Sequence, residues 1–483
     1  MACGILLSLA NCLNAQTANL PVSGYAQTSV NGVVFRGNSV VTFGQTQYVA
    51  YYDGNGNVIL AKRTLGSTTW QSSTTQYTGT VTDAHRSVSI MVDGDGYLHM
   101  AFDMHGTALR YCKSTAPGSL TLGSLAPMVG TNEATTTYPQ FFRLADGNLL
   151  FLYRDGSSGN GNVVLNRYDT KTRAWARVYT NLIDGQGARN PYTQMQIDPN
   201  GVIHLSWVWR ETADVATNHD MCYARSRDNG VTWEKSTGET YAIPINATTA
   251  EYAAKIAQSS ELINQTSIYG DEKSRPYIAT YWAPSSGIPQ YQLIYNTGNA
   301  WKTFQISQRT MDFSLSGTGT KKIPISRPQI MVDGGSDSIG IYMVFRDTER
   351  NSKVSLAHTS NLGKTPWTTT DLTSYTVDSW EPTFDTERWK TSHVLDLFVQ
   401  RMGQGDGETL ANLAPQTVTV LEWKPPASTG LAKAGSVERV GIPLGSGTAP
   451  YDAVGRKRSE DPNRRILTHG VPGGDAVVEI PGN

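Results

Sequence analysis

One unit recurs along the chain: a β-run, a turn built on Asp or Asn with Gly, and a second alternating β-run. It reads QYVAYYDGNGNVILAKR at 47–63, SVSIMVDGDGYLHMAFD at 87–103, FFRLADGNLLFLYRD at 141–155 and MQIDPNGVIHLSWVWR at 195–210. Weaker copies are YGDEKSRPYIATYW at 269–282, PQIMVDGGSDSIGIYMVFRD at 328–347 and PTFDTERWKTSHVLDLFVQR at 382–401. Gly accepts positive φ and Asp hydrogen-bonds its own turn, so each unit reads as a hairpin. Alternation in YLHMAF and VIHLSW gives each strand two faces in different surroundings. Seven units spaced at one blade's length predict an all-β chain, a seven-bladed β-propeller of four-stranded antiparallel blades. Each blade has an apolar face that a neighbour must cover, and ring closure leaves only short edges. Two tandem β-sandwiches are the competing architecture, and the regular Asp-Gly spacing argues against them.

Ser226-Arg227-Asp228-Asn229-Gly230-Val231-Thr232-Trp233 fits the Asp-box pattern S-x-D-x-G-x-x-W. Its Ser and Asp should stabilise a turn and Trp233 should pack between strands. That element identifies a fold, not a chemistry. The 46 glycines and 23 tyrosines suit turns and strands. Residues 250–263, AEYAAKIAQSSELI, have helix-forming composition and are expected to be the one short helix.

The ends read differently. GILLSLA at residues 4–10 resembles the apolar core of a secretory leader without its basic start, so residues 1–18 are expected to be a signal segment and the protein secreted or periplasmic. The propeller is expected over 25–425. Beyond Pro425-Pro426 no period of 2 or 3.6 persists, and 426–483 reads as a partly irregular tail. A net charge of −1 offers no nucleic-acid footprint, and no apolar run reaches a membrane span. Cys112 and Cys222 sit singly inside strand-like segments and read as buried thiols, with no Cys-rich zinc spacing.

Candidate chemistry clusters where strands end. His85 precedes the first strand of one hairpin and His105 follows its second, so the two imidazoles lie at the same end of one blade. His99 is mid-strand and reads as packed. Tyr138, Arg154, Asn190, Tyr192, Trp209, Arg210 and His219 follow in the next units as candidate substrate contacts. Arginine forks suit carboxylates. No convincing carboxyl pair for glycoside hydrolysis is visible. His, Tyr and Arg fit proton abstraction beside a uronate carboxylate: an Arg or protonated His neutralises it, and a neutral His or ionised Tyr takes the C5 proton.

At these residues the chain resembles the seven-bladed propeller polysaccharide lyases, including ulvan lyases and the fungal lyase that cuts rhamnose from glucuronate in gum arabic, and the wider neuraminidase-repeat group. DAHRSVSIMVDGDGYLHMAFDMHG, TYPQFFRLADGNLLFLYRDGSSGNGN and HLSWVWRETADVATNHDMCYARSRDNGVTW carry the resemblance. It implies β-elimination on a uronate-containing glycan. His105 would be the base, Tyr138 the alternative base or proton donor, and His85 with Arg154 the carboxylate neutralisers. A further family tyrosine maps to Tyr192, and Asn190, Trp209, Arg210 and His219 are expected to bind substrate. Met104 stands where some ulvan lyases carry a second histidine. No cofactor is needed for this chemistry. Zinc has no matching ligand set, and a structural calcium in the channel is compatible with the resemblance but has no diagnostic spacing. The expected partner of a monomeric protein is an anionic polysaccharide or oligosaccharide. A sialidase-like hydrolase, with Arg154, Arg210 and Arg346 as its triad, and a non-catalytic glycan binder stacking sugars on Trp209, Trp282, Trp380 or Trp389 are the rival functions.

Overall fold

The computed structural model describes residues 15–334 and 339–425, together with the backbone of two further strands, Ile466–Val471 and Gly474–Glu479. Within 15–425 the strands form seven radial sheets, and the chain is a seven-bladed β-propeller. Blade 1 is Val40–Phe43, Thr46–Tyr52, Asn57–Thr64 and Gln71–Thr78. Blade 2 is Val88–Val92, Leu98–Phe102 and Tyr111–Lys113, extended by a bridge between Ser114 and Leu122. Blade 3 is Thr136–Arg143, Leu149–Ser157, Asn160–Asp169 and Ala174–Asp184. Blade 4 is Asn190–Ile197, Ile203–Arg210, Asn218–Ser226 and Glu251–Ala254. Blade 5 is Ser267–Gly270, Pro276–Trp282, Gln290–Asn296 and Trp301–Gln305. Blade 6 is Gln329–Gly334, Ile339–Asp347, Lys353–Thr359 and Thr368–Asp371.

Blade 7 joins the two ends of the propeller. Leu395–Gln400 pairs with Val418–Trp423, which pairs with Gln16–Asn19 from the start of the described chain. Phe384 bridges to Leu397 on the inner side. The propeller therefore includes residues 16–24 as well as the expected 25–425. Residues 1–14 of the expected leader lie outside the described residues, and its expected end at residue 18 falls inside this strand. The compact unit ends at Pro425. In the following unit, Ile466–Val471 and Gly474–Glu479 pair as an antiparallel hairpin.

Two sequence expectations are corrected. Residues 250–263 do not form the helix: Glu251–Ala254 pairs with Met221, Cys222 and Tyr223 as the outer strand of blade 4. Ala-rich propensity yields there to an open sheet edge that needs hydrogen-bond partners. The one α-helix among the described residues is Thr386–Ser392, inside the seventh repeat. Asp385 caps it by accepting from Arg388 N at 3.0 Å, and Trp389 anchors it in the core. The first repeat, 47–63, is also one strand out of phase: its Asp53 turn joins the second and third strands of blade 1, whereas the others join the first and second.

Apolar side chains fill the spaces between blades, and Cys112 and Cys222 are free and buried there. In the Asp-box, Ser226 Oγ donates to Asp228 at 2.8 Å, Thr232 N donates to Asp228 at 2.8 Å, and buried Trp233 donates to Gly230 O at 3.2 Å. No helix among the described residues is long and apolar enough to cross a membrane.

Candidate active site

The ends of the inner strands and their loops surround a pocket of about 220 Å³ on one face of the ring. It is lined by His85, His105, Tyr138, Arg154, Tyr192 and Arg210, joined by Phe35, Asn264, Lys321 and Arg327. His85 lies in the turn before the inner strand of blade 2. His105 opens a short strand, His105–Thr107, that leaves blade 2 and pairs with Thr136 and Thr137 of blade 3. This crossing carries the imidazole onto the next blade, opposite Thr137, which also pairs with Arg154. Tyr138 sits at the register shift between Thr137 and Gln140 with φ of 58°. A bulky side chain in left-handed backbone is strained, and here the strain accompanies a phenol at a pocket wall.

One carboxylate organises the histidines. Asp83 accepts from His85 Nδ1 at 3.0 Å through Oδ1 and from His105 Nδ1 at 2.8 Å through Oδ2. The two rings stack with centroids 4.0 Å apart and a 16° interplanar angle. Phe35 stacks on the other face of His85 at 5.3 Å and meets Tyr138 edge-on at 5.0 Å. With Nδ1 of His105 committed to Asp83, its Nε2 is the nitrogen left for substrate. Burial opposes the charge on Asp83, but hydrogen bonds from His105 and His85 outweigh it and hold its carboxyl far below the ordinary range.

The two imidazoles are driven apart. Burial disfavours the cation on both. On His85, hydrogen bonds to Asp83 and Glu408 reverse that and raise its pKa. On His105, Asp83 alone does not, and nearby His85 and Arg154 add repulsion, so its pKa is lowered.

The phenols are driven apart as well. Burial and the neighbouring Tyr192 raise Tyr138 well above the ordinary value despite Arg154, whose guanidinium carbon is 4.9 Å from the ring centroid. Tyr192 is also penalised by burial, but Arg210, Arg154 and Ser158 outweigh it and lower its pKa. Arg210 Nη1 donates to Tyr192 Oη at 3.1 Å, and Ser158 lies 2.8 Å from the same oxygen. Tyr138 is thus the phenol of the pair that holds its proton more tightly. Arg154 is oriented by Thr137, to which Nη2 donates at 3.0 Å.

Three sequence expectations do not meet in the pocket. Asn190 is fully buried behind Arg154, at a place where a Cβ on Gly161 would lie 2.3 Å from Asn190 Oδ1 and 3.0 Å from Arg154 Cδ. Trp209 is fully buried between strands, edge-on to Trp207 at 6.1 Å. His219 points away from the pocket, between Glu211 at 2.7 Å and Asp220 at 3.1 Å. Asn190 and Trp209 are buried in their strands and His219 is half-buried on another surface, and polar type and strand position do not reveal those directions. His99 is packed, as expected of it, with Nε2 3.1 Å from Asp93 and Nδ1 2.8 Å from Tyr111. Residues missed by sequence reasoning are Asp83, Phe35, Thr320, Lys321, Arg327 and Glu408. Asp83 stands two residues before His85, and the Lys321-Lys322 pair in a Gly-Thr loop was a visible signal. Glu408 and Thr320 gave none.

Asp83, His85 and His105 are also the one cluster of three or more metal-type side chains among the described residues. Asp83 Oδ1 and Oδ2 accept from the Nδ1 atoms of His85 and His105, and the Nε2 atoms make no bond within the set.

A family model, the BNR repeat-containing family member, matches residues 46–309, more than half the chain. The chain belongs to the BNR repeat-containing family. Among curated proteins, the long isoform of ulvan lyase from Glaciecola sp. (strain KUL10) is 47% identical over 47 residues, 10% of this chain and 5% of that one. The corresponding Alteromonas sp. (strain LOR) protein is 49% identical over 45 residues, 9% of this chain and 4% of that one. The match thus spans a small fraction of those relatives. Among solved structures, the polysaccharide lyase Uly1 superposes with a TM-score of 0.60 at 16% identity, covering 80% of this chain and 90% of its own. A PL25 ulvan lyase superposes at 0.61 and 14% identity, covering 78% and 93%, and has also been solved bound to -[GlcA(1-4)Rha3S]-. At these identities the likeness is one of fold.

Proposed function

We propose that this BNR-repeat propeller is a secreted or periplasmic polysaccharide lyase that cleaves a uronate-containing glycan by β-elimination. The observation that carries the reading is the Asp83–His85–His105 network facing Tyr138, Arg154, Tyr192 and Arg210 across one pocket. The names of the similar proteins, ulvan lyases, point the same way.

The residues divide the work. His85, charged, and Arg154, with Arg210 beside it, bind and neutralise the uronate carboxylate, which makes the C5 proton removable. His105 accepts that proton through Nε2. The electron pair forms the C4–C5 double bond as the C4–O bond breaks, and the departing oxygen takes a proton from Tyr138 or back from His105. Asp83 holds His105 in the tautomer this requires and stabilises the imidazolium that forms.

The structure weakens both rivals. Arg346 is buried outside the pocket, donating to Trp380 O at 3.1 Å, so the arginine triad of a sialidase-like site does not assemble from the three expected residues. Trp209, Trp380 and Trp389 are fully buried, and half-buried Trp282 packs against the core between blades 4 and 5 and does not line the pocket. The test is to incubate the protein with ulvan, gum arabic and other uronate glycans and follow the ultraviolet absorbance of the unsaturated product. His105→Ala should abolish it. Retained absorbance in that variant removes the role of His105, and new reducing ends without absorbance replace the lyase with a hydrolase.

A further inference from the structure

The two histidines share Asp83, so Asp83 cannot by itself give them different tasks. We propose that Glu408, seated by Thr320, is the positioning residue that makes His85 the charged, carboxylate-binding member of the pair and leaves His105 as the proton acceptor. This rests on the lyase reading for its consequence in turnover, but not for its consequence in titration.

Glu408 comes from the loop between the two long strands of blade 7, remote in sequence from both histidines. Its Oε1 lies 3.3 Å from His85 Nδ1 and accepts from Thr320 Oγ1 at 2.6 Å and Thr320 N at 2.9 Å. Its Oε2 accepts from Ala84 N at 3.2 Å. Thr320 Oγ1 is itself 3.3 Å from His85 Nδ1. Thus Glu408 grips the backbone before His85 and also faces its ring nitrogen. No ion pair links Glu408 to His105 among the described residues.

The seat is built. Gly407 N donates to Thr320 O at 3.0 Å, and Lys322 N donates to Asp406 at 2.7 Å. A Cβ on Gly319 would lie 3.0 Å from Gly407 Cα, so the two loops pass at glycine–glycine distance. Loop 403–412 and the segment before blade 6 therefore close on His85 as one wall.

The other charged and titratable groups around His85 act differently. Asp83 and Arg86 come from its own turn, His105 from the short strand, Tyr138 and Arg154 from blade 3, and Tyr192 and Arg210 from blade 4. Lys321 comes from the segment before blade 6, and Arg327 stands over Phe35 while paired with Glu381 at 2.6 Å. The cations among these disfavour a charged His85. Asp83 bonds both rings, at 3.0 Å from His85 and 2.8 Å from His105. Glu408 is the carboxylate that distinguishes the two rings, and an opposite charge at this distance favours the protonated form.

The test uses Glu408→Gln, which keeps the size and one of the two acceptor oxygens but removes the charge, and Thr320→Val, which leaves the carboxylate but removes the hydroxyl that seats it. The imidazole titrations are followed by NMR in full-length protein, with thermal melts to establish folding. In Glu408→Gln the His85 midpoint should fall and the His105 midpoint rise, because His105 loses a cationic neighbour. Thr320→Val should shift both in the same sense by less. With a uronate glycan, kcat/KM of Glu408→Gln should fall about tenfold on the alkaline side, with the loss shrinking as the pH is lowered. Glu408→Asp should recover part of it. Unmoved midpoints, or a loss equal at every pH, overturn the proposal and leave Glu408 as loop scaffolding. Failure of the lyase reading is separate: wild type would yield no unsaturated product while the midpoints still moved.

Discussion

Asp83 is the residue on which the rest of the site hangs, because each of its oxygens accepts from a different imidazole. Asparagine has one acceptor and one donor on the same fork. Asp83→Asn therefore satisfies one Nδ1–H and forces the other ring to turn or change tautomer. If His105 is the base, kcat should fall by about 10²- to 10⁴-fold while the melting temperature moves little, which steady-state kinetics and a thermal melt would check together. The opposed shifts of the histidines make a second prediction. His105, lowered, gives up its proton more readily than an ordinary histidine, and His85, raised, holds its proton more tightly. The pH profile of kcat/KM should rise through a limb below about 6.5 and fall through a limb above it. A single rising limb would show that no charged histidine is needed. Tyr138, held protonated, fits proton donation to the leaving oxygen better than the role of base at rest.

Repeated elements explain why some histidines in this chain are architecture. In blade 2, Asp93 of the hairpin turn holds His99 of the second strand, which holds Tyr111 of the third. In blade 4, Asp198, His204 and Tyr223 repeat the set at 3.1 Å and 2.8 Å. Such a chain of Asp, His and Tyr resembles a catalytic relay, yet it recurs inside two blades, and none of its members lines the pocket of His85 and His105. His99→Ala should cost about 1–3 kcal/mol, because it strands buried partners, and leave KM unchanged. Denaturant unfolding with parallel kinetics decides this, and a change in KM would mean blade 2 is coupled to the pocket. The same elements show what could be read in advance. The Asp and Asn turns mark most of the repeats because turn chemistry is local, and the seventh, without such a turn, is recognised only by its strand pattern. The phase of the first hairpin was hidden, since strands two and three of a blade look like strands one and two. Helix Thr386–Ser392 was hidden because its tryptophan and charges fit a strand as well, whereas Asp385 as a cap becomes informative only with the helix in view. His85, His105, Tyr138, Arg154, Tyr192 and Arg210 were legible because strand ends converge in a propeller. Thr320 and Glu408 were not, because irregular loops from blades 6 and 7 deliver them and no periodicity marks those loops.

At the scale of the whole molecule, a formal charge of −1 means attraction for an anionic glycan is local. His85, Arg154, Arg210, Lys321 and Arg327 line the pocket, while Asp83 and Glu408 are engaged with the histidines. The ring must also hold shut, and the seam between blades 7 and 1 contains an arrangement that opposes closure. Asp385 and Asp396 are both fully buried there. Gln47 Nε2 bridges them, at 3.1 Å from Asp385 and 2.7 Å from Asp396, and Thr42 donates to Asp385 at 2.6 Å. Burial first, and the neighbouring Asp385 second, push Asp396 up to about 7. A carboxyl raised on folding has a definite linkage sign. The folded state prefers it protonated, so its cost is absent below the unfolded value near 4, grows as pH rises, and is complete above about 7. Propeller stability should therefore decline from about pH 4 to about pH 7 through this group. Asp396→Asn keeps the shape, removes the charge and accepts the same hydrogen bond from Gln47. It should stabilise the protein by about 1–3 kcal/mol at pH 8 and by less at pH 5, where the folded protein still holds the proton. Urea unfolding of both proteins at the two pH values measures the difference. An equal gain at pH 5 and pH 8 would assign the effect to packing instead of the proton, and a loss at pH 8 would show that the seam uses the charge it buries.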